Sequence, residues 1–167
     1  MGEPRLRTWA AAFLALLAGL SAEAQPAPGQ VPIQMDGSAA CTVRAIQGQP
    51  GGHDIDPRLD FLRPQFTQPP LSSFGFKLLD QHSLTIQKAT PAAFPVPGEH
   101  QGQLAYLGHH QGPKKKRVRV RLTIKDGAAR ISDTAFMIDD GGTMLQAGIH
   151  HDGGILFLAI TCRLAEK

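Results

Sequence analysis

The chain has 167 residues, 19% of them charged, with 18 glycines, 13 prolines and a formal net charge of +3. Those values exclude a long coiled coil, a collagen and a highly charged disordered chain, and the length suits one domain, two at most. Aromatic residues make up only 6%, with one Trp and one Tyr.

The first 24 residues read as a secretory signal peptide. Arg5 and Arg7 form a basic start, Trp9 to Leu20 is an uncharged apolar run, and Ala22-Glu23-Ala24 is a small-x-small site before Gln25. The run is too short to anchor in a bilayer. Arg5 and Arg7 are not adjacent, so general secretion is the simpler route. Cleavage after Ala24 removes Trp9 and leaves Tyr106 as the one Tyr. Residues 25–38 carry three prolines and little hydrophobicity, and read as a flexible linker. The domain proper is expected over 39–167, with no transmembrane segment after cleavage.

From Cys41 the signals are those of strands. Cys41 to Ile46 alternates and stops at Gly48, and a Gly- and Pro-rich loop follows. Asp56 to Leu62 predicts one short helix, with Asp56 as cap, Pro57 in the first position and Pro64 ending it early. Leu59, Leu62 and Phe66 would face inward. Phe74 to Leu79 and Ser83 to Gln87 predict two strands around a polar bend at Asp80-Gln81-His82. Ala93 to Val96 suits an edge strand because Pro95 cannot serve a central ladder, and Gln103 to Leu107 follows.

Arg117 to Lys125 has near-perfect period two. Val118, Val120, Leu122 and Ile124 point one way, and Arg117, Arg119, Arg121, Thr123 and Lys125 the other. Asp126-Gly127 is a tight-turn pair, and Ala129-Arg130-Ile131 begins the return strand. Ala135 to Ile138, Thr143 to Ala147 and Ile155 to Cys162 complete the set, separated by turns at Asp139 to Gly142 and His151 to Gly154. Ile155 to Ile160 is apolar on both faces, as a central strand would be. About eight or nine short strands with one short helix predict an all-β fold, an antiparallel β-sandwich or partly closed barrel.

Cys41 on the first strand and Cys162 on the last form the one intramolecular pairing available. An exported chain meets an oxidising compartment, which favours a disulfide joining neighbouring terminal strands. Two separately buried thiols are the alternative. No Cys-x-x-Cys and no zinc spacing is present.

Candidate chemistry is sparse. The pairs His109-His110 and His150-His151 invite a metal reading, yet adjacent strand residues point to opposite faces, and both pairs are expected in turns. No metal site and no cofactor are therefore assigned. Asp139-Asp140-Gly141 and Asp152-Gly153 read as turns, because the alternating carboxylates of an EF-hand loop are missing. His82 and Asp80 share one bend with nothing to name a nucleophile, so no catalytic residue is assigned and a non-enzymatic role is expected. Pro113 to Val118 resembles a nuclear import signal, which conflicts with the leader. Lys114, Lys115, Lys116, Arg117, Arg119 and Arg121 form a basic stripe on one turn and one solvent face, suited to a polyanion. The alternative is a charged face that keeps an edge strand from pairing. With so few aromatic side chains, sequence-specific nucleic-acid recognition is not expected.

The segments Gly51 to Leu59, Gln68 to Phe74, Gly141 to Gly148 and Gly153 to Thr161 resemble those of uncharacterised exported proteins from myxobacteria and related bacteria. The resemblance implies export and a β-rich domain, and it carries no activity and no site residue. The histidine-rich character of 100–110 and 149–151 departs from that pattern. The expectation is an exported, non-enzymatic binding or structural module of the cell envelope, in the periplasm, on the surface or outside. Its partner would be an unknown envelope component, protein or anionic polymer; the alternatives are a polyanion-binding protein or a weak metal-binding or enzymatic domain using the histidine pairs.

Overall fold

The computed structural model describes residues 33–34 and 36–165. The expected leader, 1–24, lies outside them. Among the described residues, nine strands form two antiparallel sheets: β1 (Ile33–Gln34), β2 (Ser38–Pro50), β3 (Phe74–Gln87), β4 (Ala92–Val96), β5 (His100–Gln111), β6 (Lys116–Asp126), β7 (Ala129–Asp139), β8 (Thr143–His151) and β9 (Gly154–Leu164). One sheet has the order β3-β2-β9-β8. The other has β1-β5-β6-β7, with β4 also on β5. This is the expected sandwich, not a closed barrel, and most strands are longer than expected. The expected linker 25–38 does not stay outside the fold to its end: Ile33 and Gln34 pair with His110 and His109, and Ser38 opens β2.

Period two accounts for the main core. Val118, Val120, Leu122 and Ile124 of β6 are buried against Cys41, Val43, Leu156, Leu158 and Ile160 of the facing sheet. Phe94 lies so close to Gly102 that a Cβ there would stand 2.3 Å from its ring. Gly102 is thus the space the aromatic ring fills.

The four-stranded sheet also buries its outer face. Ile46, Phe76, Leu78, Phe157 and Ala159 pack there against Leu59, Leu62 and Phe66. That second core explains why β9 is apolar on both sides. Its cover is a 3-10 segment, Pro57–Leu62, continuing into one α turn, Arg63–Phe66. Asp56 caps the segment as expected, accepting from the Arg58 amide. Pro64 does not end it. A proline fits the first turn of a helical segment, where no intrahelical partner for its nitrogen is needed, so Pro64 sits in the first turn of the α segment, Arg63–Phe66, that carries Phe66 into the sheet.

The expected bend at Asp80 to His82 is instead the middle of one continuous strand. In β3, Ala45 pairs with Asp80 and Ile46 with Leu78, which leaves Leu79 as an extra residue. A bulge of one residue exchanges the two faces of a strand. Phe76 and Leu78 therefore enter the outer core, whereas Leu84 and Ile86 enter the inner one.

Cys41 and Cys162 are register partners on β2 and β9, 4.1 Å apart at Cα, and form a disulfide. The spacing is that of an antiparallel pair exchanging no backbone hydrogen bonds. Among the described residues no helix is long and apolar enough to cross a membrane.

Candidate functional site: a basic sheet face and a polar end cleft

Among the described residues, no further layer covers the outer face of the five-stranded sheet. On β6 it presents Arg117, Arg119, Arg121, Thr123 and Lys125, with alternate side chains about 7 Å apart. On β5 the same face carries Gln101, Gln103, Ala105 and, past a bulge at Leu107, Gly108 and His110. On β7 it carries Asp133, Ala135, Met137 and Asp139. The face is mostly polar, with Met137 exposed among its charged groups.

Of the six basic residues singled out, the structure brings Arg117, Arg119 and Arg121 onto this face and separates Lys116 from them. Lys116 lies opposite Gln111 on the other side of the strand, since one step along β6 reverses the side chain. Lys115 stays near the face by pairing with Asp139 at 2.7 Å. Lys114 is exposed on the preceding turn.

Two carboxylates of β7 neutralise part of the positive field. Asp139 also holds Arg117 at 3.0 Å, and these two cations, Lys115 first, keep its carboxyl below the ordinary carboxylate range. Asp133 lies 3.4 Å from Arg121 and 2.8 Å from Arg130. Arg119 differs. Its register neighbours are Gly108 and Met137, and among the described residues no carboxylate lies within 4.0 Å of it.

The histidine pairs do not converge. His109 and His110 sit in β5 and not in a turn, with His109 on the core side and His110 on the outer side. His150 and His151 close β8 at the opposite end of the sandwich. A juxtaposition that spacing did not suggest joins His151 to His100: a Cβ on Gly98 would stand 3.2 Å from His100 Nε2 and 3.4 Å from His151 Nδ1. Residues 51 positions apart both border Gly98 because β5 starts where β8 ends. Among the described residues, no three or more His, Cys, Asp or Glu side chains cluster so as to hold a metal ion.

His82 Nε2 and Asp80 Oδ2 are 3.0 Å apart, at ion-pair distance but without hydrogen-bond direction. Ser83 faces the other side of β3, so this pair meets no serine nucleophile on its own strand.

At the end of the sandwich that holds His109, the sheets part around a polar cleft of about 940 Å³. Its charged or titratable lining residues are Lys116 of β6, Arg163 of β9, His109, Asp36 and Asp140; Cys162 and Leu164 face the inner core, so Arg163 starts from the outer face of its strand. The turn between β7 and β8 builds this end. The Asp140 amide donates to the Lys116 carbonyl at 2.9 Å, and the Gly141 amide to the Cys162 carbonyl at 2.8 Å. Lys116 and His109 belong to separate sequence motifs, and they come to one end of the sandwich through the pairing of β5 with β6.

No protein-family model, no characterised protein and no solved structure matches this chain.

Proposed function

We propose that the chain is an exported, non-enzymatic binding module of the cell envelope that holds an anionic polymer on the open face of its five-stranded sheet. The observation that carries the reading is the row Arg117, Arg119 and Arg121 on one face, with no covering layer and no carboxylate on Arg119 among the described residues. The row is straight because β6 is regular between Arg117 and Ile124. A straight row of cations matches a polymer with repeating negative charge, and binding by released counterions falls steeply with salt. The Cys41–Cys162 disulfide supports export into an oxidising compartment. The β5 side of the face carries no Phe, Tyr or Trp between Gln101 and Gln111 except Tyr106, which is turned into the core. The contacts are therefore chiefly electrostatic and hydrogen-bonded.

The test is retention on immobilised heparin as a function of salt. The wild-type protein is expected to elute at a salt concentration well above that of a variant with Arg117, Arg119 and Arg121 replaced by Gln. Equal elution of the two proteins would refute the assignment of this face.

A further inference from the structure

We propose that the turn between β5 and β6 is a cleavage site for a protease that cuts after basic residues, and that the cut yields a two-chain protein held by its disulfide. Pro113, Lys114, Lys115, Lys116 and Arg117 are consecutive, and all five are exposed. Gly112 to Lys115 belong to no strand, and the Gly112 amide donates to the Lys115 carbonyl at 3.1 Å. Opening such a turn costs far less than unfolding the sandwich, and exposed loop tips are preferred sites of nicking. Among the described residues Lys114 has no carboxylate within 4.0 Å, whereas Asp139 holds Lys115 and Arg117. Lys114 is therefore the side chain free to enter the acidic pocket of such a protease, which puts the cut at Lys114–Lys115. Water adds to the Lys114 carbonyl carbon and the bond to the Lys115 nitrogen breaks. A carboxylate is left on Lys114 and an ammonium on Lys115.

The other basic residues are poorer targets. Backbone already paired in a sheet cannot also lie extended in a protease cleft. Outside the run from Lys114 to Arg117, the basic side chains of the described residues belong to strands, except Arg58, Arg63 and Lys88. Asp56 and Asp60 hold Arg58 and Arg63, and Arg63 precedes Pro64, whose nitrogen carries no hydrogen. Lys88 stands between Gln87 and Ala89 in a tight turn, closed by the Thr90 amide donating to the Gln87 carbonyl at 3.2 Å.

The parts on either side of the cut are interwoven. One supplies β1 to β5 and the other β6 to β9, and each sheet takes strands from both. The β5–β6 and β2–β9 ladders cross the division, and the inner core joins Val43 and Leu104 to Val120 and Leu158. Cys41 precedes the cut and Cys162 follows it, so the disulfide links the two chains. Arg117, Arg119 and Arg121 stay together on the second chain, and the proposal does not depend on what that row binds.

The test is brief digestion of the folded, unreduced full chain with trypsin, read by intact mass and by electrophoresis with and without reductant. Within residues 36–165 the first cut is expected in the run from Lys114 to Arg117, chiefly after Lys114. The product is expected to run as one species without reductant and as two with it, and to keep its strand content by circular dichroism. Replacing Lys114, Lys115 and Lys116 by Gln should slow the cut at least about tenfold and leave the urea midpoint nearly unchanged. Protein recovered from the cells that produce it should likewise separate into two chains on reduction. The proposal is overturned by a first cut at Lys88, Lys125 or another basic residue of 36–165 outside that run. It is also overturned if the variant is cut as fast as wild type, if cutting abolishes the strand content, or if the recovered protein stays one chain on reduction.

Discussion

Asp140 joins the two sheets through Leu164: its carboxylate accepts the Leu164 amide at 2.8 Å while its own amide donates to Lys116 on the other sheet. One turn residue therefore fixes the separation of the strands that carry Lys116 and Arg163. Asp140→Ala removes a charge-assisted hydrogen bond at an exposed position. We expect a loss of about 1 kcal/mol in urea unfolding. The Leu164 amide should also gain hydrogen exchange, which distinguishes the loss of the staple from a general weakening.

The disulfide closes a loop between residues 121 positions apart. Loop-closure entropy on that scale contributes roughly 4–5 kcal/mol, an upper figure because residual structure in the unfolded chain reduces it. Replacing both Cys41 and Cys162 by Ala is expected to lower the urea midpoint strongly while leaving the strand content measured by circular dichroism intact. The fold should survive because β2 and β9 are paired over ten register positions, Ala39 to Gly48, and not through the cysteines alone.

Much of this architecture was legible in particular residues. Val118 to Ile124 announced a half-buried strand because one wet face and one dry face leave a period of two. Ile155 to Ile160 announced a central strand, and Leu59, Leu62 and Phe66 announced the inward side of a helical segment. What the sequence left unconnected is that these last two groups bury each other. The outer core arises only when the chain folds back, setting Phe66 on Phe76 with ring centroids 3.7 Å apart. The bulge at Leu79 was also illegible: a polar stretch inside a bulged strand has the same composition as a bend. The end cleft was unreadable for a third reason, since Asp36, Lys116 and Arg163 are distant in sequence and come to one end of the sandwich only through sheet order. Phe66→Ala tests the outer core. It empties a site 1% exposed and is expected to cost about 3 kcal/mol by chemical denaturation, whereas truncating the exposed Phe61 should cost far less.

Acid should weaken the same region. Asp56 accepts from the Arg58 side chain at 2.7 Å, from the Arg58 amide at 3.0 Å and from the Leu78 amide at 3.2 Å. The bonds to Arg58, side chain first, hold its carboxyl far below the ordinary carboxylate range. A carboxyl whose pKa is lower in the folded state stabilises the fold above its unfolded value, about 4, and loses that contribution as pH falls through the folded value. Unfolding midpoints measured from pH 6 down to pH 2 should therefore fall, and Asp56→Asn should flatten the decline while lowering stability near neutrality. An unchanged acid limb in the variant would show that other carboxylates control it.

The three arginines of the basic face should not be equal. Arg117 shares Asp139 with Lys115, and Arg121 and Arg130 flank Asp133. A polymer that takes Arg117 must compete with a carboxylate already in contact, so part of the attraction is cancelled. Arg119 stands between Gly108 and Met137 with no such competitor among the described residues, and its guanidinium is available whole. Arg119→Gln should thus reduce heparin retention more than Arg117→Gln, although each removes one positive charge. The slope of log affinity against log salt should fall by about one ion for Arg119 and by less for Arg117. Asp139→Asn should act in the opposite sense, releasing Lys115 and Arg117 and raising the salt needed for elution. Equal effects of the two arginine variants would mean that net charge, and not the row on β6, governs retention.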